Sequence, residues 1–160
     1  MNGTFMRGLR VAAVAAMALF VAACAQTRPD NLANSTVAPG TAQDFVVNVG
    51  DRVFFTVDSS DLTAEARATL DKQAQWLQQY PRYTVTVEGH ADERGTREYN
   101  IALGARRATS ARDYLISRGV SADRLRTISY GKERPVAVCN DASCWTQNRR
   151  AVTVVNNAGS

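Results

Sequence analysis

Tyr83-Thr84-Val85-Thr86-Val87-Glu88, running directly into Gly89-His90-Ala91-Asp92-Glu93-Arg94-Gly95-Thr96-Arg97-Glu98-Tyr99-Asn100, decides the architecture of this chain. Tyr83, Val85 and Val87 alternate with Thr84, Thr86 and Glu88, the period-two signature of a half-buried strand. A polar loop from Gly89 to Gly95 follows. A helix is then expected from about Thr96 to Arg118, ended by Gly119, where left-handed backbone is wanted. Upstream, Thr63 can cap another helix, with Glu65 in its first turn complementing the dipole. Ala66, Leu70, Ala74 and Leu77 supply its apolar stripe and Pro81 stops it. Phe45, Val47 and Val49 suggest a short strand, and Val53-Phe54-Phe55-Thr56-Val57 another before the turn Asp58-Ser59-Ser60-Asp61. Downstream, Arg126, Ile128 and Tyr130 alternate, residues 131–143 are irregular, and Ala151 to Val155 reads as a buried-type strand. There is no internal repeat. The expected fold is α+β, a two-layer sandwich of a mixed β-sheet with two main helices packed on one face. It spans residues 44–156, with 157–160 as a disordered tail.

The 160 residues accommodate one such domain and a short extra segment. Residues 1–10 are basic, residues 11–22 are an uncharged apolar run, and small residues follow, which is the layout of a signal peptide. The run is short for a bilayer-spanning helix, which needs about 20 apolar residues. It ends in Val21-Ala22-Ala23-Cys24, similar to the bacterial lipobox, so residues 1–23 are expected to be a lipoprotein signal peptide and Cys24 the lipidated residue. The competing reading is an ordinary signal peptide with Cys24 a bystander. Residues 24–43, rich in Asn, Thr, Ser and Pro, read as a flexible tether that reaches roughly 25 Å as a coil. Of the 19 basic residues, Arg7 and Arg10 lie in the removed segment, leaving 17 against 15 acidic ones. So nearly balanced a mature chain is no nucleic-acid binder by charge.

The loop between strand and helix holds the candidate chemistry. His90, Asp92 and Glu93 invite a general-base or metal-ligand reading. Against it, there is no activated serine or cysteine nucleophile, no His-Glu-x-x-His pattern and no second histidine. No catalytic residue, cofactor or metal is expected. On a wheel at 100° per residue, Asn100, Leu103, Arg107, Ala111 and Tyr114 share one stripe, so Arg107 interrupts a largely apolar face. A guanidinium there needs a partner. Asp92, in the loop that feeds the same helix, is the natural candidate, either as a structural salt bridge or as co-worker on a ligand. Cys139 and Cys144 enclose four residues, and in an exported chain a local disulfide is the default, with a metal the competing reading.

The segments Gly89 to Ala108, Asp58-Ser59-Ser60, Ile128-Ser129-Tyr130-Gly131-Lys132-Glu133-Arg134-Pro135 and Asn148-Arg149-Arg150-Ala151-Val152 closely resemble the peptidoglycan-associated lipoproteins, a branch of the OmpA-like domain family. The resemblance covers roughly residues 45–155. It implies non-covalent binding of the diaminopimelate-containing peptide stem of peptidoglycan, with Asp92 and Arg107 at the family's key positions and Asp58, Thr96, Asn100 and Leu103 at the pocket. Diaminopimelate ends in an ammonium and a carboxylate on one carbon, which a carboxylate and a guanidinium set side by side can read. Backbone N–H groups at the helix start are further candidates for the ligand carboxylate. The resemblance also implies a lipid anchor in the outer membrane, on its periplasmic face. It further implies a complex with the periplasmic β-propeller of the Tol system (TolB), in envelope integrity and outer-membrane constriction during division. The competing function is a protein-interaction module whose main ligand is that propeller.

Overall fold

The computed structural model describes residues 37–157. The expected signal peptide, the lipidation at Cys24, most of the tether and the last three residues therefore lie outside the described residues. Among the described residues, four strands form one sheet: β1 (Arg52–Phe54), β2 (Tyr83–His90), β3 (Leu125–Gly131) and β4 (Arg150–Asn157), in the order β1-β4-β2-β3. β4 runs antiparallel to both neighbours, with Val53 opposite Ala151 and Val85 opposite Val155, while β2 and β3 are parallel, with Val85 opposite Leu125. A parallel pair needs a long crossover, and the 21-residue helix between β2 and β3 supplies it.

The helices are α1 (Ala42–Asp44, continuing as a wider π turn over Phe45–Gly50), α2 (Ala64–Gln79), α3 (Arg97–Ser117) and α4 (Ala142–Asn148). α2 begins where Thr63 accepts a hydrogen bond from the Ala66 N–H at 3.1 Å, and α3 where Thr96 accepts one from Tyr99 N–H at 3.2 Å. The Thr63 cap stands where the sequence places it, and the second helix starts at Thr96 as expected. Leu70, Leu77, Ala108, Ala111 and Leu115 from the two long helices bury against Tyr83, Val85 and Val87, the alternate residues of β2. The mixed sheet with two main helices on one face is thus the observed architecture.

Five local expectations are corrected. Phe45, Val47 and Val49 are helical, not a strand. Asp44 organises the turn: it accepts hydrogen bonds from Gly40 N, Asn48 Nδ2 and Trp76 Nε1, each at 2.8 Å, so only Phe45 of the three is fully buried. Packing also starts earlier than Asp44, because the Gly40 carbonyl accepts from Arg82 Nη2 and the Tyr83 hydroxyl. The second expected strand, Val53 to Val57, is a strand only over Arg52–Phe54; one further backbone bond joins Phe55 N–H to Arg149 O at 2.9 Å, and Asp58 then turns the chain with a left-handed φ of 53°. The stretch up to Ser143 read as irregular contains the start of α4, capped by Asp141, which accepts from Ser143 N at 2.8 Å. Cys139 and Cys144 form the expected disulfide at its first turn. β4 extends through Asn157, one residue into the expected tail.

One close approach sets the position of α3. A Cβ on Gly89 of β2 would lie 1.8 Å from the Gly104 carbonyl oxygen, and one on Gly104 would lie 2.4 Å from Ser129 Oγ. Two glycines therefore let helix and strand backbones touch. This seats Asn100, Leu103 and Arg107 of α3 over the end of β2 and the loop that carries Asp92.

Candidate functional site

At the C-terminal end of β2 the chain leaves the sheet at Ala91, whose N–H donates to Gly131 O at 2.8 Å. The loop to α3 is laced down by Lys132, whose Nζ donates to Glu93 O (3.1 Å) and Gly95 O (2.6 Å). Gly95 turns with φ 87°. Asn100, 2% exposed, donates from Nδ2 to Arg94 O and Thr96 O, so it shapes the loop from beneath.

A cleft of about 300 Å³ opens beside this loop, lined by Val57, Asp58, Asp92, Arg94, Gly95, Tyr99, Asn100, Leu103 and Arg107. Five expected residues meet here from three separate segments: Asp58, Asp92, Asn100, Leu103 and Arg107. Thr96 does not line it; its hydroxyl caps α3 and its carbonyl accepts from Asn100 N. Those two N–H groups at the helix start are accordingly spent within the protein. Sequence reasoning missed Val57, Arg94, Gly95 and Tyr99 as lining residues. Arg94 carries a signal in retrospect, since it stands two residues after Asp92 in one tight loop.

Arg107 is wholly buried, yet it makes no salt bridge with Asp92. Its Nε donates to Ser59 O (2.8 Å), Nη1 to His90 O (2.9 Å) and Nη2 to Thr56 O (3.1 Å), and its guanidinium carbon sits 5.3 Å from the centre of the Phe55 ring. Of the two readings, the direct salt bridge is thus not formed: three backbone carbonyls, two of them from the stretch after β1, take its place. Burial, then the charge of Arg149, pushes the Arg107 pKa down to about 10, while Asp92 and Asp58 pull it back up. It stays charged at neutral pH. Among the described residues, two of its five N–H donors have no hydrogen-bond partner, one on each terminal nitrogen.

Asp92 is paired by two other arginines. Arg94 donates from its backbone N (3.2 Å) and Nε (3.1 Å) to Oδ1 and from Nη2 (2.6 Å) to Oδ2. Arg149, at the junction of α4 and β4, donates from Nη1 to Oδ2 at 3.3 Å and from Nε to Phe55 O at 3.0 Å. Burial raises the Asp92 pKa, but the hydrogen bonds from Arg94 and Arg149 outweigh it and hold the carboxyl below its usual range. Across the cleft, Tyr99 donates its hydroxyl to Asp58 Oδ1. The cleft thus presents fixed charges of both signs around a small apolar floor, suited to a short zwitterionic group.

His90, Asp92 and Glu93 do not converge. Glu93 accepts from Trp145 Nε1 at 3.1 Å. His90 is 2% exposed, its ring lies 5.6 Å from that of Tyr130, and neither ring nitrogen has a hydrogen-bond partner among the described residues; Glu88 Oε2 stands 3.7 Å from Nε2. Burial, with the charges of Arg150, Arg134 and Arg52, lowers its pKa to about 4. The unfolded chain therefore takes up a proton that the folded chain refuses. This contribution to stability is complete above about pH 6.5 and is lost as pH falls toward 4. By linkage the loss is about 3 kcal/mol. Urea unfolding from pH 7 to 4.5 should show it, and His90→Phe should flatten that part of the slope; an unchanged slope in the variant would assign the acid sensitivity to other groups.

The fold and this cleft define a class: a compact α+β binding domain that presents a charged cleft beside a strand-to-helix loop. The OmpA family profile matches residues 54–151. The peptidoglycan-associated lipoprotein of Rhizobium meliloti (strain 1021) is 62% identical over 151 residues, covering 90% of this chain and 86% of that protein. Its counterpart in Mesorhizobium japonicum is 62% identical over 149 residues, 89% of each chain. The crystal structure of the peptidoglycan-associated lipoprotein from Burkholderia pseudomallei superposes with a TM-score of 0.68 at 36% identity, covering 72% of this chain and all of that one. The chain belongs to the OmpA family and, within it, to the peptidoglycan-associated lipoproteins, which are structural proteins and not enzymes.

Proposed function

We propose that this chain binds the diaminopimelate-containing stem of peptidoglycan in the Asp92–Arg107 cleft and, through a lipid on Cys24, tethers the outer membrane to the wall from its periplasmic face. The observation that carries the reading is the meeting of Asp58, Asp92, Asn100, Leu103 and Arg107 around one cleft of about 300 Å³. That size is at the low end of small-molecule sites. The ligand carboxylate takes the two uncommitted N–H groups of Arg107, and its ammonium takes Asp92, with Asp58 as a second acidic wall. Leu103 meets the methylene stem. The same reading places the protein in the Tol system, alongside its periplasmic β-propeller, in envelope integrity and constriction at division; family membership supports that part.

Each charge-assisted contact contributes roughly 1.5–3 kcal/mol, so a single site holds modestly. Strength comes from many copies tethered to one membrane beside one polymer. The full chain in detergent should sediment with purified diaminopimelate-type sacculi. Asp92→Asn should weaken that binding by about tenfold or more; because it also removes the carboxylate paired with the buried Arg149 and so costs stability, binding is measured where the variant's own unfolding curve shows it folded. A stem peptide with lysine in place of diaminopimelate, which lacks the carboxylate, should bind far more weakly. Equal binding of both peptides, unaffected by Asp92→Asn, would move the wall contact elsewhere and leave the propeller as the main ligand.

A further inference from the structure

Asp92 is saturated in the free protein. A carboxylate offers about four lone-pair sites, and all four are filled: two on Oδ1 by the backbone N and Nε of Arg94, two on Oδ2 by Arg94 Nη2 and Arg149 Nη1. A ligand ammonium can reach this carboxylate only by displacing a cation already there. The two arginines differ in how easily they leave. Arg149 has 9% of its side chain exposed and is tied to Phe55 O as well. Arg94 has 42% exposed and lies at the rim of the cleft.

Arg94 is nonetheless held in place from its other side. Its guanidinium carbon stands 4.1 Å from the centre of the Trp145 ring, and Trp145 Nε1 donates to Glu93 in the same loop. Trp145 follows Cys144, whose disulfide to Cys139 staples the first turn of α4. Asn148, at the end of that helix, pins the chain between β3 and α4: its Oδ1 accepts from Val136 N and its Nδ2 donates to Ala137 O. A stapled seven-residue helix therefore presents one aromatic face to one arginine.

We propose that Arg94 is a latch: in the free protein its guanidinium occupies on Asp92 the place of the ligand ammonium, Trp145 holds it there, and it is the cation released when ligand binds. This rests on the wall-binding reading and adds to it a residue that sets affinity without touching the ligand. The Cys139–Cys144 staple acts through Trp145, so opening the disulfide loosens the latch in the same direction as removing the ring.

The test is calorimetric titration of the full chain in detergent with two stem tripeptides. One ends in meso-diaminopimelate; the other ends in 2-aminopimelate, which keeps the side-chain carboxylate and has hydrogen in place of the ammonium. Arg94→Ala should bind the first about tenfold tighter than wild type, the worth of one charge-assisted contact, and the second within about twofold. Trp145→Ala should tighten the first by about threefold and add nothing in the Arg94→Ala background. Arg94→Gln should repeat the Arg94→Ala result. If wild type binds the first peptide and Arg94→Ala binds it more weakly, Arg94 is a ligand contact and the latch is wrong while the wall reading stands. Equal changes for both peptides also overturn the latch, since they reflect net charge alone. If neither wild type nor Arg94→Ala binds the first peptide, the wall reading itself falls and the latch with it.

Discussion

Replacing Arg107 by methionine lowers the stability of the domain by about 3 kcal/mol or more, since it strips donors from three buried carbonyls at once. The carbonyls are those of Thr56, Ser59 and His90, which belong to two separate segments and meet only at this guanidinium. Methionine fills most of the volume and packs on Phe55, so the measured loss reports the polar contacts more than a cavity. Urea unfolding gives the number. A loss below about 1 kcal/mol would show that water serves the carbonyls as well, leaving ligand binding as the reason for the arginine. Binding and stability thus share one side chain at Arg107. A variant at Arg107 that fails to bind sacculi has to be read against its own unfolding curve.

Gly89→Ala is expected to be similarly damaging for a different reason. The new methyl would meet the Gly104 carbonyl oxygen at 1.8 Å and its carbon at 2.6 Å, with Ala108 Cβ at 3.2 Å. The obstructing atoms are helix backbone, so no rotamer change relieves the clash. α3 must lift from β2, and overpacking of this severity costs about 3 kcal/mol. The lift also carries Asn100, Leu103 and Arg107 away from the loop holding Asp92, so stem-peptide affinity should fall together with stability. Thermal unfolding and titration of the same variant check both. A variant within about 1 kcal/mol of wild type with unaltered affinity would mean that the helix slides at little cost, and the close approach would not be what sets the cleft.

Much of this was legible in the chain. The alternation over Tyr83 to Glu88, the polar loop after it, the cap at Thr63 and the helix start at Thr96 are properties of near neighbours, and each appears where it was expected. The stripe that singled out Arg107 is also local, and it led to a buried guanidinium. Phe45-Val46-Val47-Asn48-Val49 failed for the complementary reason. Phe45, Val47 and Val49 do fall at every second position, but Val46 between them is apolar too, and Asp44 gathers hydrogen bonds from Gly40, Asn48 and the distant Trp76 that hold the segment in a turn.

By itself, then, the sequence determined the α+β class and the strand-loop-helix unit that carries Asp92 and Arg107, and it made a Cys139–Cys144 disulfide the default that the structure bears out. Periodicity, capping and short-loop closure depend only on residues a few positions apart. Tertiary structure alone decided who partners whom. Arg107 turns to the carbonyls of Thr56, Ser59 and His90, Arg149 arrives on Asp92 from 57 positions away, and Trp145 stacks on Arg94. The physical reason is desolvation: a buried charge takes whichever donors or acceptors the packed chain brings to it, and no local spacing names them.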